Sequence, residues 1–455
     1  MNSLNLLLHG FNTALAGMNL LYCLIGVTIG MLVGVLPGLG PTTGVAVLLP
    51  ITYAMEPVSA IIMLSGIYYG AMYGGTISLF GLVFFGPPLA QMALKFGPPE
   101  FFALLVLGLT MVIGLMGKSL VKGLISAVLG LCLALIGMDP ASGELRFTFG
   151  VTNMMNGFDF VTIAMGLFGL TEILTSAETM YSVGKLPKVK GLFPRREEVV
   201  PCIKAILRAT GLGFLIGLIP GSNSVIPAIL SYSIEQKSAK DPSRFGKGAI
   251  EGVAGPETAN NSYCGGALIP LFTLGIPSSP TIAVLFGAFM IHGLVPGPQL
   301  YTTNPDLVWG IIASMFIGNA MLLVMNLPMA GWWAKIAAVP PKLLYPLIML
   351  ISVIGAYTVN NNLWDVAVMF AFGILGYLMK KIDMPMAPIV LTFVLGNKLE
   401  SSLIQSLFMF EGNFFGFFSR PISSTLLTLS IVIFVVSLIA GLKNKKGMFA
   451  SDVEM

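Results

Sequence analysis

Three stretches of this chain carry no charged side chain at all: residues 1–55, 57–94 and 258–305. Runs of that length have no place on a soluble domain, about a quarter of whose residues are charged. Of the 455 residues 56% are hydrophobic and only 10% charged, and the mean hydropathy is +0.89. The chain therefore reads as a polytopic membrane protein with the lipid bilayer as its solvent. A spanning helix needs roughly 20 apolar residues, so each run holds several helices or helical hairpins. The net charge of +4 gives no sign of a nucleic-acid partner. Cys23, Cys132, Cys202 and Cys264 lack metal-type or redox-type spacing and read as small apolar fillers. The start of the chain lacks a basic n-region, so no cleavable signal peptide is expected.

Inside the apolar runs, one break occurs twice. Gly34-Val35-Leu36-Pro37-Gly38-Leu39-Gly40 and Gly217-Leu218-Ile219-Pro220-Gly221-Ser222-Asn223 each interrupt a helix with Pro-Gly. A broken helix frees backbone groups that lipid cannot bond, so such a break survives only where it is buried in protein or lines a cavity. Paired breaks in two halves are the pointer to a transporter's binding site. Pro37-Gly38 leads after 37 residues to Gly74-Gly75-Thr76, and Pro220-Gly221 leads after 45 to Gly265-Gly266-Ala267. A third break follows at Gly275-Ile276-Pro277-Ser278-Ser279, with no counterpart in the first half, which is the shorter of the two. Apolar helix candidates run along the whole chain, among them 14–33, 43–54, a single long one over 58–86, 264–275, 279–294 and 308–330.

The expected fold is an all-α polytopic membrane protein of about 10–12 transmembrane helices, in two repeat-related halves with broken helices and hairpins. The divisions are 1–184 (first half, shortened after Gly75), a basic loop at 185–208, 209–442 (second half with C-terminal helices) and a tail at 443–455. The loop carries Lys185, Lys188, Lys190, Arg195, Arg196, Lys204 and Arg208, and the tail Lys443, Lys445 and Lys446. The positive-inside rule puts both in the cytoplasm. Counting helices outward brings Lys118 with Lys122, Lys335 with Lys342, and Lys380 with Lys381 to the same side.

Several long motifs resemble the large permease subunit of the tripartite tricarboxylate transporters. They are Gly34 to Pro41, Gly66-Ile67-Tyr68-Tyr69-Gly70-Ala71-Met72-Tyr73-Gly74-Gly75, Phe245 to Ala254, Pro256-Glu257-Thr258-Ala259-Asn260-Asn261, Gly265 to Pro277 and His292 to Pro298. The resemblance extends over essentially the whole chain, including Asp139-Pro140 and Arg146-Phe147-Thr148-Phe149-Gly150. It implies a secondary transporter of the bacterial inner membrane, importing tricarboxylates or related carboxylates with a Na⁺ or H⁺ gradient. It also implies two partners, a small four-helix membrane subunit and a periplasmic solute-binding protein. The chain departs from the family where Ser78-Leu79-Phe80 leads almost at once to Pro87-Pro88-Leu89-Ala90-Gln91. Family members insert a segment there with an Asn-Ile-Pro-Gly-Glu-like motif and a further helix. A degenerate or purely structural subunit is therefore the alternative reading. A second departure is Ser222-Asn223 in place of the more usual Ala-Gly.

A polyanionic substrate stripped of water needs donors or cations, yet 1–94 and 258–305 contain no Lys or Arg. The expected substrate contacts are backbone N–H groups at half-helix N-termini and the residues at the breaks. These are Pro37, Gly38, Gly40, Thr42, Thr43, Gly74, Gly75, Gly221, Ser222, Asn223, Asn260, Asn261, Pro277 and Ser278, with Thr76, Ser224 and Ser279 as further donors. Neutral donors fall short of balancing a trianion, so a coupling Na⁺ or H⁺ is expected beside it. Unwound carbonyls near Pro37, Pro220 or Pro277 are the expected Na⁺ ligands, and Glu257 and Glu251 the ionisable coupling candidates. No other cofactor is expected. With two His residues, no Asp-rich cluster and no Gly-x-Ser-x-Gly, an enzyme is not expected.

Overall fold

The computed structural model describes residues 3–36, 40–70, 75–115, 119–139, 143–178, 196–220, 222–239, 241–337, 339 and 341–443. Pro37, Gly38, Gly74 and Gly221, residues 185–195 of the expected basic loop and all but the first residue of the tail lie outside the described residues; residues 196–208 of that expected loop are helical. The helices, in chain order, begin with α1 (Ser3–Leu15), α2 (Gly17–Val35), α3 (Pro41–Leu48), α4 (Pro57–Gly70), α5 (Thr76–Ala93), α6 (Pro98–Leu115) and α7 (Leu120–Ala134). A two-residue hairpin of β1 (Gly137–Met138) and β2 (Leu145–Arg146) follows, then α8 (Phe160–Ala164), a π-helical turn Met165–Leu170, α9 (Thr171–Glu178) and α10 (Arg196–Gly217). The rest are α11 (Val225–Ser238), α12 (Glu251–Leu274), α13 (Pro280–Ile291), α14 (Leu300–Thr303), α15 (Pro305–Ala337), α16 (Pro341–Asn360), α17 (Leu363–Lys381), α18 (Ala387–Met409), α19 (Gly416–Ser419) and α20 (Pro421–Lys443).

The protein is thus all-α and polytopic. Among the described residues eight helices are long and apolar enough to cross a membrane, and five more apolar helices are shorter. The single helix expected over 58–86 is described as two, α4 ending at Gly70 and α5 beginning at Thr76, with Gly75 outside any helix. In the other direction, the segment read as starting at 264 belongs to a helix that begins at Glu251 and carries Pro256 and Pro270 inside it.

The chain folds into two compact units, one made of Met1–Gln91, Glu172–Ile219 and Asn223–Gly355, the other of Met92–Thr171, Pro220–Ser222 and Ala356–Met455. Each draws on sequence from both sides of the 185–208 loop, so the units and the sequence halves are different partitions of the chain. In the first unit α2 packs on α4, α10 on α12 and α1 on α15. Lipid supplies no hydrophobic drive between helices, so close approach through small residues has to do it. A Cβ at Gly26 would lie 2.2 Å from the Met63 carbonyl oxygen, and one at Gly213 would lie 2.1 Å from that of Ala259. Gly217 and Gly266 meet in the same way, so the glycines of α10, spaced as Gly-x-x-x-Gly, form its seam with α12.

The second unit packs α18 against α7 and α6, α20 against α6, and α17 against the π-helical turn. Here Thr171 Oγ1 donates to the carbonyls of Gly166 (3.2 Å) and Gly373 (3.1 Å), linking the π-helical turn to α17. Arg146 of the hairpin reaches Glu400 of α18 in a two-pronged ion pair of 2.7 and 3.1 Å and lies 3.7 Å from Asp139. That pair ties the 139–146 loop to the helix bundle.

Candidate functional site

The first unit contains three helix starts that follow breaks: α3 after Pro37 to Gly40, α5 after Gly75, and α13 after Gly275 to Ser279. The break before α13 has a clear local cause. Gly275 adopts a left-handed φ of 67°, its N–H bonds to Leu271 and the N–H of Ile276 to Pro270, the left-handed αL helix ending that favours glycine. Pro277 prevents the helix from resuming, and Ser279 then caps α13 by accepting from the Ile282 N–H at 3.3 Å. Pro280 fills the first helical position, where a missing N–H costs nothing. The start of α3 is built alike, with Gly40 at the cap and Pro41 first.

These two starts meet. Thr42 and Thr281, each directly after the leading Pro, share a hydroxyl–hydroxyl hydrogen bond of 2.7 Å, and α3 packs on α13. Each N-terminus carries the equivalent of roughly half a positive charge. The pair therefore forms a positive region without any cationic side chain. Ser278 is buried and donates to the Ala267 carbonyl at 2.9 Å, so it holds the break in place with its hydroxyl proton already engaged. Thr43 is buried within α3.

The third start, that of α5, sits directly on α12. A Cβ at Gly75 would lie 2.8 Å from the Ser262 nitrogen and 2.9 Å from the Asn261 carbonyl carbon, and one at Gly265 would strike Ser78 at 2.5 Å. Glycine at both positions lets the two backbones touch. Beside that contact lies a small cavity lined by Tyr69, Gly75, Ser78, Asn261, Cys264, Met315 and Asn319 among others. It has room for about one water-sized occupant, and so suits a single functional group or ion. Its polar geometry is set by Ser78 Oγ donating to Gly75 O at 2.7 Å, Tyr69 Oη to Ser314 O at 3.0 Å, and Asn319 Nδ2 to Thr76 Oγ1 at 3.3 Å.

Of the residues expected at the site, Gly75 and Asn261 come together at this cavity, and Gly40, Thr42, Thr43, Pro277 and Ser278 gather at the α3 and α13 starts. Asn260 is half-buried, its carbonyl accepting from Cys264 Sγ at 3.8 Å, and does not line the cavity. Asn223 is exposed and caps α11, accepting from the Val225 N–H at 3.2 Å. Pro220 and Ser222 belong to the second compact unit. Glu257 is exposed on α12, whereas Glu251 pairs with Arg244 at 3.5 Å; neither lines the cavity. His292 at the end of α13 lies 3.3 Å from Thr52, and its burial pulls the imidazole pKa down, in keeping with a packed, neutral helix-end residue.

Sequence reasoning missed Thr281 and Asn319. Both had a signal: Pro280-Thr281 repeats Pro41-Thr42, and Asn319 is a lone amide in the apolar stretch 310–325.

Residues 20–79 and 74–391 match the tripartite tricarboxylate transporter TctA family. The chain is 40% identical, over 485 aligned residues covering 96% of each protein, to an uncharacterized 52.8 kDa protein in the TAR-I ttuC' 3' region of Agrobacterium vitis. It is also 43% identical over 241 residues, 53% of this chain and all of the relative, to an uncharacterized protein in the TAR-II ttuC' 3' region of the same organism. No solved structure matches. The two family matches meet at residues 74–79, and the 485-residue alignment is longer than the chain itself.

Proposed function

Since the chain belongs to the tripartite tricarboxylate transporter TctA family, a family of large membrane subunits in multi-component transporters, we propose that it imports a tricarboxylate or related carboxylate across the bacterial inner membrane. On this reading a periplasmic binding protein delivers the substrate, a small four-helix membrane subunit completes the channel-side assembly, and a Na⁺ or proton gradient drives uptake. The basic 185–208 loop and the C-terminal tail face the cytoplasm.

One observation carries the proposal: two half-helix N-termini held together by Thr42 and Thr281 in a region with no Lys or Arg on either flanking run. The positive dipole ends of the two helices favour a carboxylate there, and their partial charges let it leave again. The α5 start beside Asn261 offers a second seat for a carboxylate of the same ligand. Thr76 and Ile77 supply its first N–H groups.

The test is uptake into proteoliposomes holding this chain with its small subunit, given loaded binding protein and an imposed Na⁺ or proton gradient. Gradient-dependent uptake that falls in Thr42→Val and in Asn261→Ala supports the reading. Folded, partner-bound complex without uptake refutes it in favour of a second reading, a transport-incompetent subunit. That second reading is supported by the interruption of the family match at 74–79 and by an alignment with the relative that is longer than this chain; a segment lost after Gly75 would account for both.

A further inference from the structure

Resting on that reading, we infer that Asn261 and Asn319 ligate the coupling ion, a small dehydrated monovalent cation of the Na⁺ class, in the cavity beside the α5 start. Among the described residues, neither Asn261 Oδ1 nor Asn319 Oδ1 has a hydrogen-bond partner, and both atoms are buried. Asn261 as a whole is only 7% exposed. An unmet buried acceptor is costly, and two on one cavity call for an occupant that presents positive charge or a donor to both.

The neighbouring groups narrow the choice. The hydroxyl proton of Ser78 is spent on Gly75 O and that of Tyr69 on Ser314 O, so what these hydroxyls leave for the cavity is oxygen lone pairs. Cys264 and Met315 add sulfur atoms to the lining, and the oxygens beside them are hard, neutral ligands. No carboxylate is among the lining residues, which disfavours Ca²⁺ or Mg²⁺, whose sites rely on carboxylates. No Asp, Glu or His lines it either, so a transported proton has no base to occupy. A monovalent metal ion fits what remains.

The position also accounts for coupling. The α5 N-terminus lies at the cavity through Gly75 and Ser78, and its positive end opposes a bare cation. A substrate carboxylate seated on the first N–H groups of α5, those of Thr76 and Ile77, removes that opposition and adds direct attraction. Each ion therefore raises the affinity of the other, and by linkage by the same factor. The site expected from sequence, at unwound carbonyls near Pro37, Pro220 or Pro277, is a different one.

The experiment is thermal unfolding of the purified full chain in nanodiscs, in NaCl, KCl or choline chloride, each with and without citrate. The expected result is a stabilisation by Na⁺ and citrate together that exceeds the sum of their separate effects. Asn261→Ala and Asn319→Ala should lose the Na⁺ increment. Asn319→Asp should lower the Na⁺ concentration giving half the shift, a gain that a merely structural asparagine would not show. Curves that superimpose in Na⁺ and choline, with citrate stabilising equally in both, overturn the cation site while leaving the transport reading intact; the cavity then holds water or a substrate hydroxyl. Indifference to both salt and citrate overturns the two together.

Discussion

The seam between α10 and α12 allows one structural claim to be tested against its own internal control. Gly211 and Gly213 lie two residues apart on α10, so replacing either with Ala removes the same backbone freedom, worth up to ~1 kcal/mol in favour of Ala. Their surroundings are opposite. A Cβ at Gly211 meets nothing within 4 Å, whereas one at Gly213 lies 2.1 Å from Ala259 O and 2.9 Å from its carbonyl carbon. The obstruction is backbone, which cannot rotate aside, so α10 has to back away from α12. Overpacking of this kind costs about 1–3 kcal/mol. The propensity terms cancel in the comparison, leaving Gly213→Ala less stable than Gly211→Ala by about that amount. The assay is thermal inactivation of detergent-solubilised protein, scored by the monodisperse fraction remaining. Because Asn261 sits on α12 two residues beyond Ala259, uptake should fall in Gly213→Ala even below its unfolding range. Equal behaviour of the two variants would refute the close seam and, with it, the positioning of Asn261 argued from it.

Three further outcomes follow from other contacts. Glu100 is 3% exposed and pairs with the partly exposed Arg420 at 2.8 Å while accepting from the Gly97 N–H at 2.9 Å; Arg420→Met should cost more than the ~1 kcal/mol of an exposed pair and less than the ~3–5 of a fully buried one, with the added change Glu100→Gln recovering part of it in denaturation midpoints. Asp159, the cap of α8, has its pKa raised by burial and by the nearby Asp365 carboxylate, against the lowering effect of the Val161 and Thr162 N–H groups. The folded state therefore holds this proton more tightly than the unfolded one, so stability falls as pH rises from the ordinary Asp range through the raised folded value; Asp159→Asn keeps a capping acceptor and should flatten that slope in melting curves taken between acid and neutral pH. Finally, Thr42→Val and Thr281→Val should each cost about 1 kcal/mol, and the double variant little more than either single one, because both remove the same bond; a fully additive cycle in thermal stability would show that the two hydroxyls act separately.

The helices were legible because lipid leaves the backbone few options: charge-free runs of this length could hardly be anything else. The breaks were legible for the same reason, since Pro-Gly in such a run needs a purpose. Register was less legible. The expected 58–86 helix resumes as α5 only after Gly75, and glycine alone does not say whether a transmembrane helix bends, packs or stops. The start of α12 at Glu251 was hidden by Pro256 and by polar Asn260-Asn261-Ser262, which lower hydropathy in a helix stabilised by its neighbours. Within the site, sequence singled out Asn261 but ranked Asn260 equally. Only helix periodicity against α10 and α5 separates the buried amide from the half-buried one. Asn319 escaped because its partner at the cavity lies on a helix far away in the chain, a pairing no local pattern reveals.

The absence of Lys and Arg from the sequence runs that carry the α3, α5 and α13 starts has a mechanistic consequence on the proposed reading. A Lys or Arg buried with a polycarboxylate would form a charge-assisted pair, strong enough to hold the substrate against release. Helix ends provide partial charges that are fixed in place and need no reorganisation, but together they fall short of a trianion's demand. The deficit is useful: affinity becomes conditional on a co-ion, and dissipation of that ion on the far side weakens binding to the substrate as well. Introducing a permanent cation should therefore separate binding from transport. Ser78→Lys, placed against the cavity, is expected to remove the Na⁺ requirement for citrate binding while abolishing gradient-driven uptake. Uptake that continues in this variant with its Na⁺ dependence unchanged would mean that the driving ion acts elsewhere in the protein.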